Sequence, residues 1–180
     1  MFTTPLRDGF ELKLLEERHA PTAFAAVARE RDRLREWLAW VDATHTEDDT
    51  LAFIRGALEQ FSSSNGFAAG IWSGSRLAGT IGLHKIDWLN RRVEIGYWLA
   101  REFEGRGVMT DACRAVTTHC FRELGLHRVE IRCAAGNTRS AGVPKRLGFV
   151  LEATLREANL VNGMYHDLLI FAMLQGNWPR

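Results

Sequence analysis

Cysteine is scarce in this 180-residue chain, and the three present, Cys113, Cys120 and Cys133, form neither an even set nor a Cys-x-x-Cys pair. That excludes a disulfide scaffold and suits a reducing compartment. No stretch approaches the roughly 20 apolar residues of a membrane span. The first residues lack the charged-then-apolar pattern of a secretory leader, so no membrane is expected as a partner and the chain is expected in the cytoplasm. The six histidines show no His-x-x-x-His spacing, and no metal is expected. Nor does one charge prevail. The net of +1 is too small for binding nucleic acid by bulk phosphate neutralisation, and the one basic cluster, Arg31, Arg33 and Arg35, reads as a solvated helix face. No Gly-Lys-Ser/Thr follows a glycine pair and no Gly-x-Ser-x-Gly occurs, which removes a phosphate-loop hydrolase and a serine-hydrolase elbow.

What is present is an ordinary globular composition. Apolar residues make up 46% and charged residues 25%, enough for one domain spanning residues 1–180 with a substantial core. Phe10 to Leu15 reads as a first strand. Residues 19 to 40 read as a helix, with Phe24, Val27, Leu34, Trp37 and Leu38 as its apolar positions. A second helix opens at Thr46, where Asp49 three residues later makes a capping-box pattern, and ends in Ser62 to Gly66. Phe67 to Trp72 and Leu77 to His84 are strands joined by a tight turn, and Val93 to Leu99 is a third. Its alternation puts Val93, Ile95, Tyr97 and Leu99 on one face and Glu94, Gly96 and Trp98 on the other. Gly96 inside it marks a bulge or a close approach.

A helix over 108 to 124 shows Met109, Cys113, Val116, Cys120 and Leu124 on one side, ended by Gly125. Val129, Ile131 and Cys133 alternate as a strand. A short helix from about Ser140 to Leu147 contains Pro144, which predicts a late start or a bend. Asn162-Gly163 then turns a hairpin between Phe149 to Val161 and Met164 to Leu174. The fold class is α/β (α+β), with a mixed, largely antiparallel central sheet flanked by helices.

The chemistry concentrates between residues 94 and 149. Glu94 to Ala100 runs into Arg101-Glu-Phe-Glu-Gly-Arg-Gly107, and a helix opens at Val108. Gly105 and Gly107 let the backbone turn tightly and bring bare N–H groups close to a ligand. The helix adds the positive end of its dipole, so the junction favours a diphosphate. The donors are those of Gly105, Arg106, Gly107, Val108 and Met109, with Arg106 free either to add charge or to point into solvent. A second polar cluster, Asn137, Ser140 and Arg146, ends in Leu147-Gly148-Phe149.

These segments resemble the GNAT superfamily of acyl-CoA N-acetyltransferases, and within it the RimJ/RimL-like branch that acetylates N-terminal amines of ribosomal proteins. The resemblance rests on Glu-Ile-Gly-Tyr-Trp-Leu (94–99), Gly105-Arg106-Gly107-Val108-Met109-Thr110 and the spacing Asn137, Ser140, Val143, Arg146, Leu147-Gly148-Phe149. The family's cradle pattern starts with Gln or Arg; this chain has Glu104 there, so its cradle must work through the backbone.

The resemblance implies acetyl-CoA as co-substrate, with Trp98 and Leu99 beside the pantetheine arm and Asn137 bonded to it. It also implies Ser140 near the sulfur, as donor to the departing thiolate, or else as a helix N-cap. Glu94, on the strand face away from the apolar set, is the candidate base for the amine, the alternative being a solvated carboxylate. Cys133 is first a core residue. The acceptor expected is a protein N-terminal α-amine. A small-molecule amine (polyamine, antibiotic or amino-acid derivative) and a non-catalytic acyl-CoA sensor are the alternatives, and a homodimer stays open. Helices 19–40 and 46–64 should wall the acceptor cleft, with Trp37 and Trp40 at hand and the last hairpin, carrying Asn162, Tyr165 and His166, closing it.

Overall fold

A computed structural model describes residues 3–179. Their strands form one eight-stranded sheet in the order β1-β2-β3-β4-β5-β6-β8-β7. The elements are β1 (Thr3–Pro5), β2 (Phe10–Leu14), α1 (Ala20–Leu34), α2 (Glu47–Ser62), β3 (Phe67–Ser73), β4 (Arg76–Leu83), β5 (Arg92–Leu99), α3 (Val108–Arg122), β6 (Arg128–Ala134), α4 (Thr138–Arg146), β7 (Val150–Val161) and β8 (Met164–Leu174). Only β5 and β6 pair in parallel, with α3 as the crossover between them. Every residue from Phe67 to Trp72 is buried, so β3 is covered on both faces. On one, Phe67 meets His119 of α3 with ring centroids 6.0 Å apart; α1 and α2 pack together over the other.

Local signals explain most of these elements. Thr46 accepts from the Asp49 N–H while Asp49 Oδ2 accepts from the Thr46 N–H at 2.8 Å, closing the capping box that starts α2. Ile54 is fully buried beneath it, which contributes about 1.5–3 kcal/mol for a side chain of that size. In α3 the predicted face is core, with Met109, Cys113, Val116 and Cys120 buried. Burial drives the Cys113 thiol pKa well up and that of Cys120 to about 12, so both remain thiols. Asn162 and Gly163, with φ of 50° and 76°, form the β7–β8 turn.

Four readings are corrected. Strand β1 precedes the one expected first. The helix expected over 19–40 ends at Leu34, and a short 3₁₀ turn follows at Ala39–Ala43. Arg31 folds that segment back by donating to the carbonyls of Val41 at 2.7 Å and Thr44 at 2.5 Å. The arginine cluster is solvated only in part: Arg33 is half-buried and bonded to Glu30, whereas Arg35 pairs with Asp42 in solvent. Finally, α4 starts early, at Thr138, with Pro144 inside it. Among the described residues no helix is long and apolar enough to cross a membrane, and no group of three or more His, Cys, Asp or Glu is placed to hold a metal.

Candidate active site

The parallel ladder between β5 and β6 stops at Ile95↔Ile131, although β5 continues to Leu99 and β6 to Ala134. Beyond that point the strands part and leave a gap. Glu94 C=O and Ala100 N–H bond toward β4. By alternation Gly96 and Trp98 do the same, and the peptide groups of Tyr97 and Leu99 turn toward β6 across the gap. Trp98 is buried and offers the gap no peptide group, whereas Leu99 borders it directly. The Leu99 carbonyl already accepts from Arg33 Nη2 at 2.5 Å.

At the wide end of the gap stands the N-terminus of α3. Gly105 and Gly107 both have φ of 75°, in the left-handed region that favours glycine. Gly107 is the N-cap of α3 and carries no side-chain cap. Among the described residues the N–H groups of Gly107, Val108 and Met109 meet no acceptor, so the orphan donors of the helix face outward as an anion-binding corner. The side chains of Val108 and Met109 are buried and anchor it.

The charges around this corner were not legible from its own segment. Glu104 lies between two guanidiniums, bonded to Arg33 Nη1 and Arg139 Nη1 at 2.8 Å each. Its carboxylate therefore ties α1 to α4 instead of standing bare toward a diphosphate. Arg106 stacks on Phe10, with Cζ 4.9 Å from the ring centroid. Arg7, from the turn between β1 and β2, reaches the cradle as well. Asp111 in the first turn of α3 takes its Nε and Nη2, the latter at 2.8 Å, and Nη1 lies 2.8 Å from where a Cβ on Gly107 would stand. Arg146 donates to Thr110 Oγ1 at 3.1 Å on the same helix.

Glu94 and Ser140 lie on different sides of the sheet. Glu94, one residue short of the last paired position, faces away from α4 and sits 3.3 Å from Arg132. His84 shares that face: its ring lies over Gly96, where a Cβ would come within 2.5 Å of Nε2. Close approach, with no bulge, thus explains this strand glycine. On the α4 side, the Tyr97 hydroxyl donates to the Ser140 carbonyl at 2.9 Å, and Ser140 Oγ stands 3.4 Å from the Tyr97 oxygen. Burial raises the Cys133 thiol pKa, and a hydrogen bond with Ser140 opposes the rise. Ser140 is thus bonded to β5 through Tyr97. It is not the N-cap of α4; Asn137 is, accepting from the Ser140 N–H at 3.0 Å. Capping occupies the Asn137 oxygen, and among the described residues the side-chain nitrogen has no partner.

One cleft of about 1930 Å³ joins Arg7, Gly107, Asn137, Ser140 and Glu94 to the far side, where Glu36, Trp37, Trp40, Phe53 and Lys85 line it. Trp40 and Phe53 are exposed, whereas Trp37 packs against His166, with ring centroids 5.8 Å apart. The hairpin tip closes over this end: Asn162 Nδ2 donates to the Arg35 carbonyl at 2.5 Å. Tyr165 is exposed beside it. Arg7, Tyr97 and His84 escaped the sequence reading, and only Gly96 carried a local signal for one of them.

The model of the GNAT acetyltransferase domain matches residues 10–150. The putative ribosomal N-acetyltransferase YdaF of Bacillus subtilis is 38% identical, over 99% of this chain and 98% of that protein. The ribosomal-protein-serine acetyltransferase of Escherichia coli is 28% identical, over 96% of each. Among solved structures, RimL, an α-N-acetyltransferase of a ribosomal protein, superposes with a TM-score of 0.92 at 27% identity, covering 96% of this chain and 97% of that one. It was solved with coenzyme A joined to one of its cysteines by a disulfide.

Proposed function

The chain belongs to the GNAT acetyltransferase family and is an N-acetyltransferase, and we propose that it moves an acetyl group from acetyl-CoA onto the N-terminal α-amine of a protein. In this reading it works in the cytoplasm as one domain, 1–180. The observation that favours a peptide end over a polyamine is the state of the carboxylates in the cleft. Glu94 is paired with Arg132, Glu104 with Arg33 and Arg139, and Asp49 with the N-terminus of α2. Among the described lining residues, Glu36 is the carboxylate left without an ion pair or hydrogen bond. A polycation needs several free carboxylates in a row, whereas one α-amine followed by apolar side chains suits Trp40 and Phe53. The names of the relatives support the same acceptor class.

In this assignment the diphosphate sits on the N–H groups of Gly105, Arg106, Gly107, Val108 and Met109. The cationic contact comes from Arg7, and the Arg106 side chain stays on Phe10. The pantetheine arm fills the gap as a stand-in strand against Leu99 and its neighbour Tyr97, with Asn137 Nδ2 donating to it and Trp98 packing the wall behind. The amine arrives from the Glu94 face, and Glu94 removes its proton, directly or through water. The neutral nitrogen attacks the thioester carbon, the C–N bond forms, and the C–S bond breaks toward the α4 face. The proton the nitrogen sheds passes through solvent to the thiolate leaving on that face, giving amide and free thiol. There Ser140 Oγ–H donates a hydrogen bond to the developing thiolate.

The test is a panel of N-terminal peptides, spermidine-like polyamines and amino-acid derivatives, incubated with acetyl-CoA and read by mass spectrometry. Acetylation at peptide α-amines, exceeding that of polyamines, is the expected result. Preferred turnover of a polyamine would overturn the acceptor assignment, and cofactor binding with no turnover anywhere would leave only an acyl-CoA sensor.

A further inference from the structure

In an α-helix each carbonyl accepts from the N–H four residues on. For Ser140 that position is Pro144, which has no N–H. The missing donor comes from the sheet instead: the Tyr97 hydroxyl donates to the Ser140 carbonyl at 2.9 Å. A phenol has one proton, so at 3.4 Å the Tyr97 oxygen can only accept from Ser140 Oγ–H, a long bond that the hydroxyl rotor gives up when it turns to the sulfur. Burial drives the Tyr97 pKa well above its usual 10, so that proton stays on the phenol throughout the neutral range. The Ser140 N–H is held in turn by Asn137 Oδ1 at 3.0 Å. Backbone and hydroxyl of Ser140 are thus fixed from three directions, and two of the three contacts belong to Tyr97.

We propose that Tyr97 is a positioning residue, which replaces the helical donor that Pro144 lacks and thereby aims Ser140 Oγ into the gap between β5 and β6. The proposal rests on Ser140 acting at the sulfur. A phenol that merely filled the core would matter to stability alone.

Steady-state kinetics on the full chain separate these cases. Tyr97→Phe keeps the ring and removes the donor; kcat should fall about five- to tenfold, the scale of one buried hydrogen bond, with KM for acetyl-CoA within about twofold. Adding Pro144→Ala gives residue 144 an N–H for the Ser140 carbonyl, so Tyr97→Phe/Pro144→Ala should regain most of the lost kcat and any lost stability. In a Ser140→Ala background, Tyr97→Phe should lower kcat no further. Wild-type turnover in Tyr97→Phe beside an impaired Ser140→Ala would overturn the role of Tyr97 and spare that of Ser140. Full turnover in Ser140→Ala would remove the Ser140 assignment and the proposal with it. An undiminished Tyr97→Phe loss in the Ser140→Ala background would show that the phenol acts on its own.

Discussion

Gly105 and Gly107 offer a matched pair of perturbations at the cradle. Both hold φ at 75°, so alanine at either position meets the same left-handed penalty, about 1–2 kcal/mol. Their surroundings differ. A Cβ at Gly105 meets nothing within 4 Å, whereas one at Gly107 would stand 2.8 Å from Arg7 Nη1 and 3.2 Å from Cζ. That contact is too close, and the flexible end of Arg7 must shift away from residue 107. The Arg7–Asp111 pair it loosens is half exposed on the arginine side, and such pairs add little to stability. The two variants should therefore unfold at similar urea concentrations, each below wild type. Affinity should separate them. Loss of one charged hydrogen bond to a phosphate costs about 1.5–3 kcal/mol, so Gly107→Ala should raise the Kd for coenzyme A about 10- to 100-fold more than Gly105→Ala. Titration calorimetry with coenzyme A reads the difference, and Arg7→Ala added to Gly107→Ala should change little further. A Gly107→Ala Kd no higher than that of Gly105→Ala would refute Arg7 as the cationic contact.

Two further outcomes concern groups that border the same cleft. Glu104→Gln should leave the coenzyme A Kd within about threefold, because Arg33 and Arg139 already offset that carboxylate; a tenfold tightening would mean that it faces the diphosphate unscreened. Cys133 lines the cleft whereas Cys113 and Cys120 do not, so a thiol reagent followed by peptide mapping should modify Cys133 first. Saturating coenzyme A should slow that reaction at least about tenfold if the thiol end lies in the gap. Equal rates with and without the ligand would place the pantetheine elsewhere.

Elements governed by neighbours in sequence were legible. The α2 start needs only Thr46 and Asp49, and the last hairpin needs only the left-handed tolerance of Asn162-Gly163. The stop of α1 at Leu34 was not, because no glycine or proline marks it; the bonds of Arg31 to Val41 and Thr44 turn the chain there. Pro144 misled on where α4 starts, for a related reason. Its missing donor predicted a late or bent helix, yet α4 begins at Thr138 since Asn137 caps it and Tyr97, 43 residues away, bonds the orphaned carbonyl.

The same division runs through the site. A backbone cradle needs glycines at fixed spacing and a helix that starts on cue, both written in consecutive residues, and residues 104–109 could be read directly. The electrostatics of that cradle are set by partners 71 residues off for Arg33 and Glu104, and 104 for Arg7 and Asp111. Glu104 shows why this matters. In sequence it stands where the resemblance leads one to expect Gln or Arg, and by charge alone it opposes a phosphate ligand. In the fold it draws Arg33 and Arg139 to the rim of the cleft, and Arg33 uses its remaining nitrogen to cap the Leu99 carbonyl at the end of the gap. The carboxylate thus assembles cations beside an anion site while its own charge is offset. A carboxylate at the edge of the cradle is therefore compatible with an anion site here, because its compensating charges come from α1 and α4, which close over it.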